Sequence, residues 1–152
     1  MLLPIRLVLR ASVLLSTNKP LRLTGYYKYK AGEQFYENGE YTSRKDIFNI
    51  YAIFYDGVKY DSAGKGTDVT LDGNLPNQNY EHSSMVALAL VSNPQETEGD
   101  EWKFFDIPFD YQRYGKKIDE ARLAKGEYKI GIIFASSRMV PLLRVLQEAL
   151  YL

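Results

Sequence analysis

A chain of 152 residues suits one domain, large enough to bury a core without staples. Its 19 basic and 19 acidic residues cancel, which removes the electrostatic case for a nucleic-acid or anionic-membrane partner. With no cysteine there is no disulfide framework, thiol nucleophile or cysteine-ligated metal, and in a domain of this size that absence selects no compartment.

The first residues, Met1 to Leu15, look superficially like an export signal, but Arg6 and Arg10 leave an apolar run of three between them, against the roughly 7–15 that a signal needs. No segment approaches the roughly 20 apolar residues of a membrane helix, so no membrane insertion is expected. Leu21 to Lys30 then alternates with the period of a strand, placing Leu21, Leu23, Tyr27 and Tyr29 on one side and Arg22, Thr24, Tyr26, Lys28 and Lys30 on the other. Ile47 to Tyr55 is apolar on both faces, the mark of a strand central in its sheet. Asp56-Gly57 reads as a hairpin turn into Val58-Lys59-Tyr60. Thr67 to Leu71 reads as a further short strand.

Met85 to Val91 is an apolar strand, and Asn93 to Asp100 an acidic loop. Trp102 to Tyr111 resumes extended structure, with Pro108 marking an edge or a bulge. Lys116 to Lys125 has helical propensity and is closed by Gly126, after which Glu127 to Phe134 is a strand. Short strands between Gly, Asn, Asp and Pro turns, without alternating long helices, predict an all-β antiparallel sandwich of jelly-roll type. Met139 to Leu152 breaks this texture with helical spacing. The predicted division is therefore an atypical segment 1–17, a sandwich 18–138, and a helical or disordered tail 139–152 in place of a last strand.

Candidate chemistry is sparse. Glu101, Asp106 and Asp110 could supply the two facing carboxyl groups that glycosidic hydrolysis needs, although a chain with 19 acidic residues places carboxylates near one another by chance. His82, the sole histidine, lies beside Ser83 and Ser84 without a nucleophile elbow, and one histidine excludes a multi-histidine metal site. Asp61, Asp68, Asp72 and Asn74 carry oxygens that a structural calcium could use, though not at EF-hand spacing. They read first as turn residues, so no cofactor is expected. Gly64-Lys65-Gly66-Thr67 lacks a full phosphate-loop pattern and reads as a turn.

The 13 Tyr, 7 Phe and single Trp remain. Such rings suit strands and also the flat apolar faces of sugars. Tyr26 and Lys28 project opposite the Leu21–Leu23 side, while Trp102, Tyr111, Arg113 and Tyr114 flank turns. These six are the candidate ligand-binding residues.

Lys19 to Gly32, Asp46 to Asp56, Trp102 to Tyr111 and Gly126 to Ser137 together resemble the bacterial family called the putative carbohydrate metabolism domain, over roughly Asn18 to Arg138. The resemblance implies a sandwich like those of carbohydrate-binding modules, within a larger exported or surface-anchored protein with upstream domains, and no established catalytic residue. Both ends depart from the family wording, which expects an aromatic Gly-containing segment before the first strand and a Gly-rich loop with a last strand after Ser137. Leu7 to Leu15 and Val145 to Leu150 can be encoded so that a neighbouring reading frame restores it; a frame shift and genuine divergence are both open accounts. The leading expectation is a non-catalytic glycan-binding module, against a structural or adhesion module and a glycoside hydrolase.

Overall fold

In the computed structural model, residues 9–135 are described apart from 38, 44, 46 and 72–74. The strands are β1 (Leu9–Ser16), β2 (Arg22–Tyr27), β3 (Phe35–Glu37), β4 (Glu40–Thr42), β5 (Asn49–Asp56), β6 (Val58–Tyr60), β7 (Gly66–Asp68), β8 (Met85–Leu90), β9 (Lys103–Pro108) and β10 (Tyr128–Ala135), with one short helix, α1 (Glu120–Ala124), between the last two. β1, β10, β5 and β8 form an antiparallel sheet in that order. The ribbon of β2 and β9 lies over one of its faces.

β5 shows why a run without alternation sits at the centre. Ile50, Ala52 and Phe54 point to the face covered by β2 and β9, where they meet Leu23, Tyr27, Phe105 and Phe109. Tyr51, Ile53 and Tyr55 point the other way, into a second core built with Leu75, Tyr80, Met85, Leu88 and Ile133. Period 2 sends successive side chains to opposite faces, so a strand covered on both must be apolar throughout. The chain is an all-β sandwich.

The five long predicted strands form at or within a residue or two of their expected ends, except that β9 stops at Pro108 rather than Tyr111 and β2 stops at Tyr27 rather than Lys30. Beyond Tyr27 the acidic loop continues the pairing: Thr97 N–H donates to the Tyr29 carbonyl at 2.9 Å, and the Tyr29 N–H donates to Thr97 Oγ1 at 3.0 Å. α1 occupies the later part of its predicted stretch, because the Asp119 carboxylate caps it by accepting from the N–H groups of Ala121 and Arg122. Gly126 ends it at φ 73°.

Three expectations change. β6 does not fold back on β5; it pairs with β7. The Gly57 N–H donates to the Glu127 carbonyl and the Gly57 carbonyl accepts from Val69 N–H, so Gly57 extends the β5–β10 ladder instead of reversing the chain onto β5. Leu21, on the predicted inner side of the first strand, is exposed, one residue before the ladder begins. Leu9–Ser16, within the segment set apart at 1–17, pairs along its whole length with β10 as the sheet's fourth strand. The predicted tail, 139–152, lies outside the described residues.

Candidate functional site

The outer face of the β2–β9 ribbon is where alternation leaves aromatic rings in water. Inward, Leu23 and Tyr27 of β2 and Phe105 of β9 are buried. Gly25 sits opposite Phe105, and the Phe105 ring lies over it so closely that a Cβ there would be 2.8 Å from Cζ. Outward, the same alternation must expose Arg22, Thr24 and Tyr26 on one strand and Phe104, Asp106 and Pro108 on the other. Lys28 and Trp102 continue the two rows just past the ladder and are also exposed.

Tyr26 and Phe104 are direct cross-strand partners with ring centroids 5.1 Å apart. Tyr26, Phe104 and Trp102 are 65%, 53% and 63% exposed, grouping three large rings on one solvent-facing surface. An ion pair flanks each end of this patch. Lys28 Nζ lies 5.1 Å from the Trp102 ring centroid and 3.0 Å from Asp100 Oδ1. At the other end Arg22 Nε donates to Asp106 Oδ1 at 2.5 Å, and this bond holds the guanidinium's pKa above its ordinary value.

Of the six predicted residues, the structure brings Tyr26, Lys28 and Trp102 together. Tyr111, Arg113 and Tyr114 lie elsewhere and have internal tasks. Tyr111 packs edge-on against Phe54 and donates its hydroxyl to the Pro20 carbonyl at 2.6 Å, under Lys19 Nζ. Burial pushes its phenol well above the ordinary tyrosine range. Tyr114 donates to the Tyr80 carbonyl at 2.8 Å and packs on the second core, while Arg113 donates to the Asn79 carbonyl. They pin the chain around residue 80, where Asn79 and Tyr80 both take positive φ. Phe104, Arg22, Asp100 and Asp106 were not singled out as ligand contacts. The signal for Phe104 is plain in retrospect: Trp102, Phe104 and Asp106 alternate with buried Phe105.

The acids do not converge. Asp106 is paired with Arg22, Asp110 accepts from the N–H groups of Gln112 and Arg113 in its own turn, and Glu101 is exposed in the loop before β9. His82 Nδ1 accepts from Ser84 N–H, closing its own turn. Asp61 accepts from Ala63 and Lys65 N–H groups, and Asp68 holds Lys129 Nζ at 2.7 and 2.8 Å; Asp72 and Asn74 lie outside the described residues. Among the described residues no group of three His, Cys, Asp or Glu side chains could hold a metal. No helix among them is long and apolar enough to cross a membrane.

A family model, the putative carbohydrate metabolism domain, matches residues 14–140. The chain belongs to that family. Among solved structures, this family member resembles a putative glycoside hydrolase from Bacteroides vulgatus ATCC 8482, at 43% identity and a TM-score of 0.69 over 84% of this chain and 47% of that one. It also resembles a putative glycoside hydrolase from Bacteroides thetaiotaomicron VPI-5482, at 35% identity and 0.62, over 84% of this chain and 34% of that one. It thus spans about half and a third of the lengths of these two relatives. No curated protein sequence matches.

Proposed function

We propose that this carbohydrate-metabolism domain binds glycan without cleaving it, on the outer face of β2 and β9, as one part of a longer exported bacterial protein. The observation that carries the reading is the exposed trio Tyr26, Phe104 and Trp102 set between two ion pairs. The apolar C–H face of a sugar packs on such rings, while its hydroxyls need fixed donors and acceptors at the border. Arg22, Asp106, Lys28 and Asp100 are of that kind. Binding rather than hydrolysis is favoured because the carboxylates of Asp106 and Asp110 serve separate partners instead of facing one another.

Affinity electrophoresis through gels containing soluble starch, mixed-linkage β-glucan, arabinoxylan or galactomannan, beside a glycan array, tests this directly. Retardation by at least one glycan is expected, with Tyr26→Ala, Phe104→Ala and Trp102→Ala each weakening it about tenfold, or ~1.4 kcal/mol. Binding to none of them contradicts the reading.

A second reading has its own support. The match covers only 47% and 34% of the two solved relatives, and Val13, Leu14 and Leu15 of β1 are exposed as well, so the domain could dock a neighbour. That reading expects no glycan retardation and protection of β1 when the domain stands beside its neighbour.

A further inference from the structure

Resting on the reading that this face binds glycan, we infer that it takes the interior of an extended chain of neutral sugars, lying along the strands, rather than a single sugar, a chain end or an anionic glycan. The length of the face is the first argument. Same-face neighbours on a strand are about 6.8 Å apart, so the row from Arg22 to Lys28 runs roughly 20 Å. A single pyranose covers a fraction of that. The chemistry is distributed accordingly, with an ion pair at each end, Thr24 next to the first, and Tyr26, Phe104 and Trp102 between them.

Openness is the second argument. All eight outward residues, Arg22, Thr24, Tyr26 and Lys28 in one row and Trp102, Phe104, Asp106 and Pro108 in the other, are exposed. A site that recognises a chain end needs an enclosing wall against which the terminal sugar stops, and Asp100 at the Trp102 end stands fully in solvent. A chain can therefore run past at both ends.

Charge is the third. Arg22 already has Asp106 and Lys28 already has Asp100. An anionic sugar would set its charge against a carboxylate at either end, whereas a neutral hydroxyl can both donate to the carboxylate and accept from the cation. The guanidinium has five N–H donors, of which the bond to Asp106 uses one.

The test is a fluorescence and calorimetric titration of the full chain with the malto-, cello-, xylo- and manno-oligosaccharide ladders, each as prepared and after borohydride reduction of its end, with heparin as the anionic probe. In the ladder that binds, affinity is expected to rise at least about tenfold from the disaccharide to the longest oligomer. End reduction of that oligomer, and a change from low to physiological salt, are each expected to alter its affinity by less than about twofold. A monosaccharide that binds as tightly as the longest oligomer, loss of binding on end reduction, or a preference for heparin would overturn this inference while leaving the face assigned, provided Trp102→Ala weakens that binding about tenfold. Binding indifferent to Trp102→Ala and Tyr26→Ala overturns the assignment of the face itself.

Discussion

Gly25 shows how one residue shapes the whole ribbon: its missing side chain is the space that the Phe105 ring occupies. Gly25→Ala should force that buried ring aside and destabilise the domain by about 1–3 kcal/mol, read as a lower midpoint in chemical denaturation. Arg122 has the opposite character, being crowded with partners. It donates to both Asp56 oxygens at 2.6 and 2.8 Å, to Glu127 at 2.6 Å and to the Val58 carbonyl at 2.9 Å, tying the end of β5 to α1 and β10. Arg122→Lys cannot reproduce that fork, and we expect it to cost about 1–2 kcal/mol in the same measurement. The Arg122 bond holds the Glu127 carboxyl below its ordinary 4.5, against the opposing effect of burial. Lys129 holds Asp68 low in the same way, and the Ala31 N–H and then Lys45 do so for Glu96. A carboxylate depressed in the folded state contributes fully above its unfolded value and loses that contribution as pH falls through the folded one. Stability should therefore fall as pH drops below about 4.5, and Glu127→Gln should make that fall shallower; an equal slope would remove Glu127 from the account.

At the scale of elements, what the sequence made legible followed from local periodicity. The two-sided apolar run of β5, the alternation of β2, and the Gly126 stop after α1 each depend on residues within a few positions of one another, and each appears, the alternation of β2 over Arg22–Tyr27. What escaped depended on distant partners. Nothing in Asp56-Gly57-Val58 shows that the Glu127 carbonyl will claim the Gly57 N–H, and a Cβ at Gly57 would stand 2.8 Å from that same oxygen. Three of the six predicted residues lie in the candidate site: Tyr26 and Lys28 follow from the alternation of β2 and Trp102 from its place beside a turn, while the pairing that sets Phe104 opposite Tyr26 spans the middle of the chain. Tyr111 and Tyr114 look like turn-flanking aromatics in sequence and prove to be hydroxyl clamps on the carbonyls of Pro20 and Tyr80. Among the described residues β1 is an outer strand paired on one side alone, with Leu14 57% and Leu15 71% exposed. Such an edge invites strand pairing between molecules. Leu14→Lys should raise the protein concentration at which light scattering sets in, and an unchanged threshold would mean that self-association starts elsewhere.

For the whole molecule, the two faces of the central sheet divide the work. One is covered by Val69, Leu71, Leu75 and Tyr80, and the other carries a ribbon whose far side remains in water. Family membership directs attention to carbohydrate, and the composition supplies an unusually direct probe of where it binds. Trp102 is the single tryptophan of the chain, and it stands at 63% exposure within the proposed face. Its emission therefore reports on that face without labelling. Titrating the protein with a polysaccharide that retards it in a gel should shift Trp102 emission to shorter wavelength, protect it from iodide quenching, and saturate at the midpoint seen by calorimetry. Saturable binding by calorimetry with Trp102 emission and quenching both unchanged would contradict the account, because the sugar would then rest somewhere other than on β2 and β9.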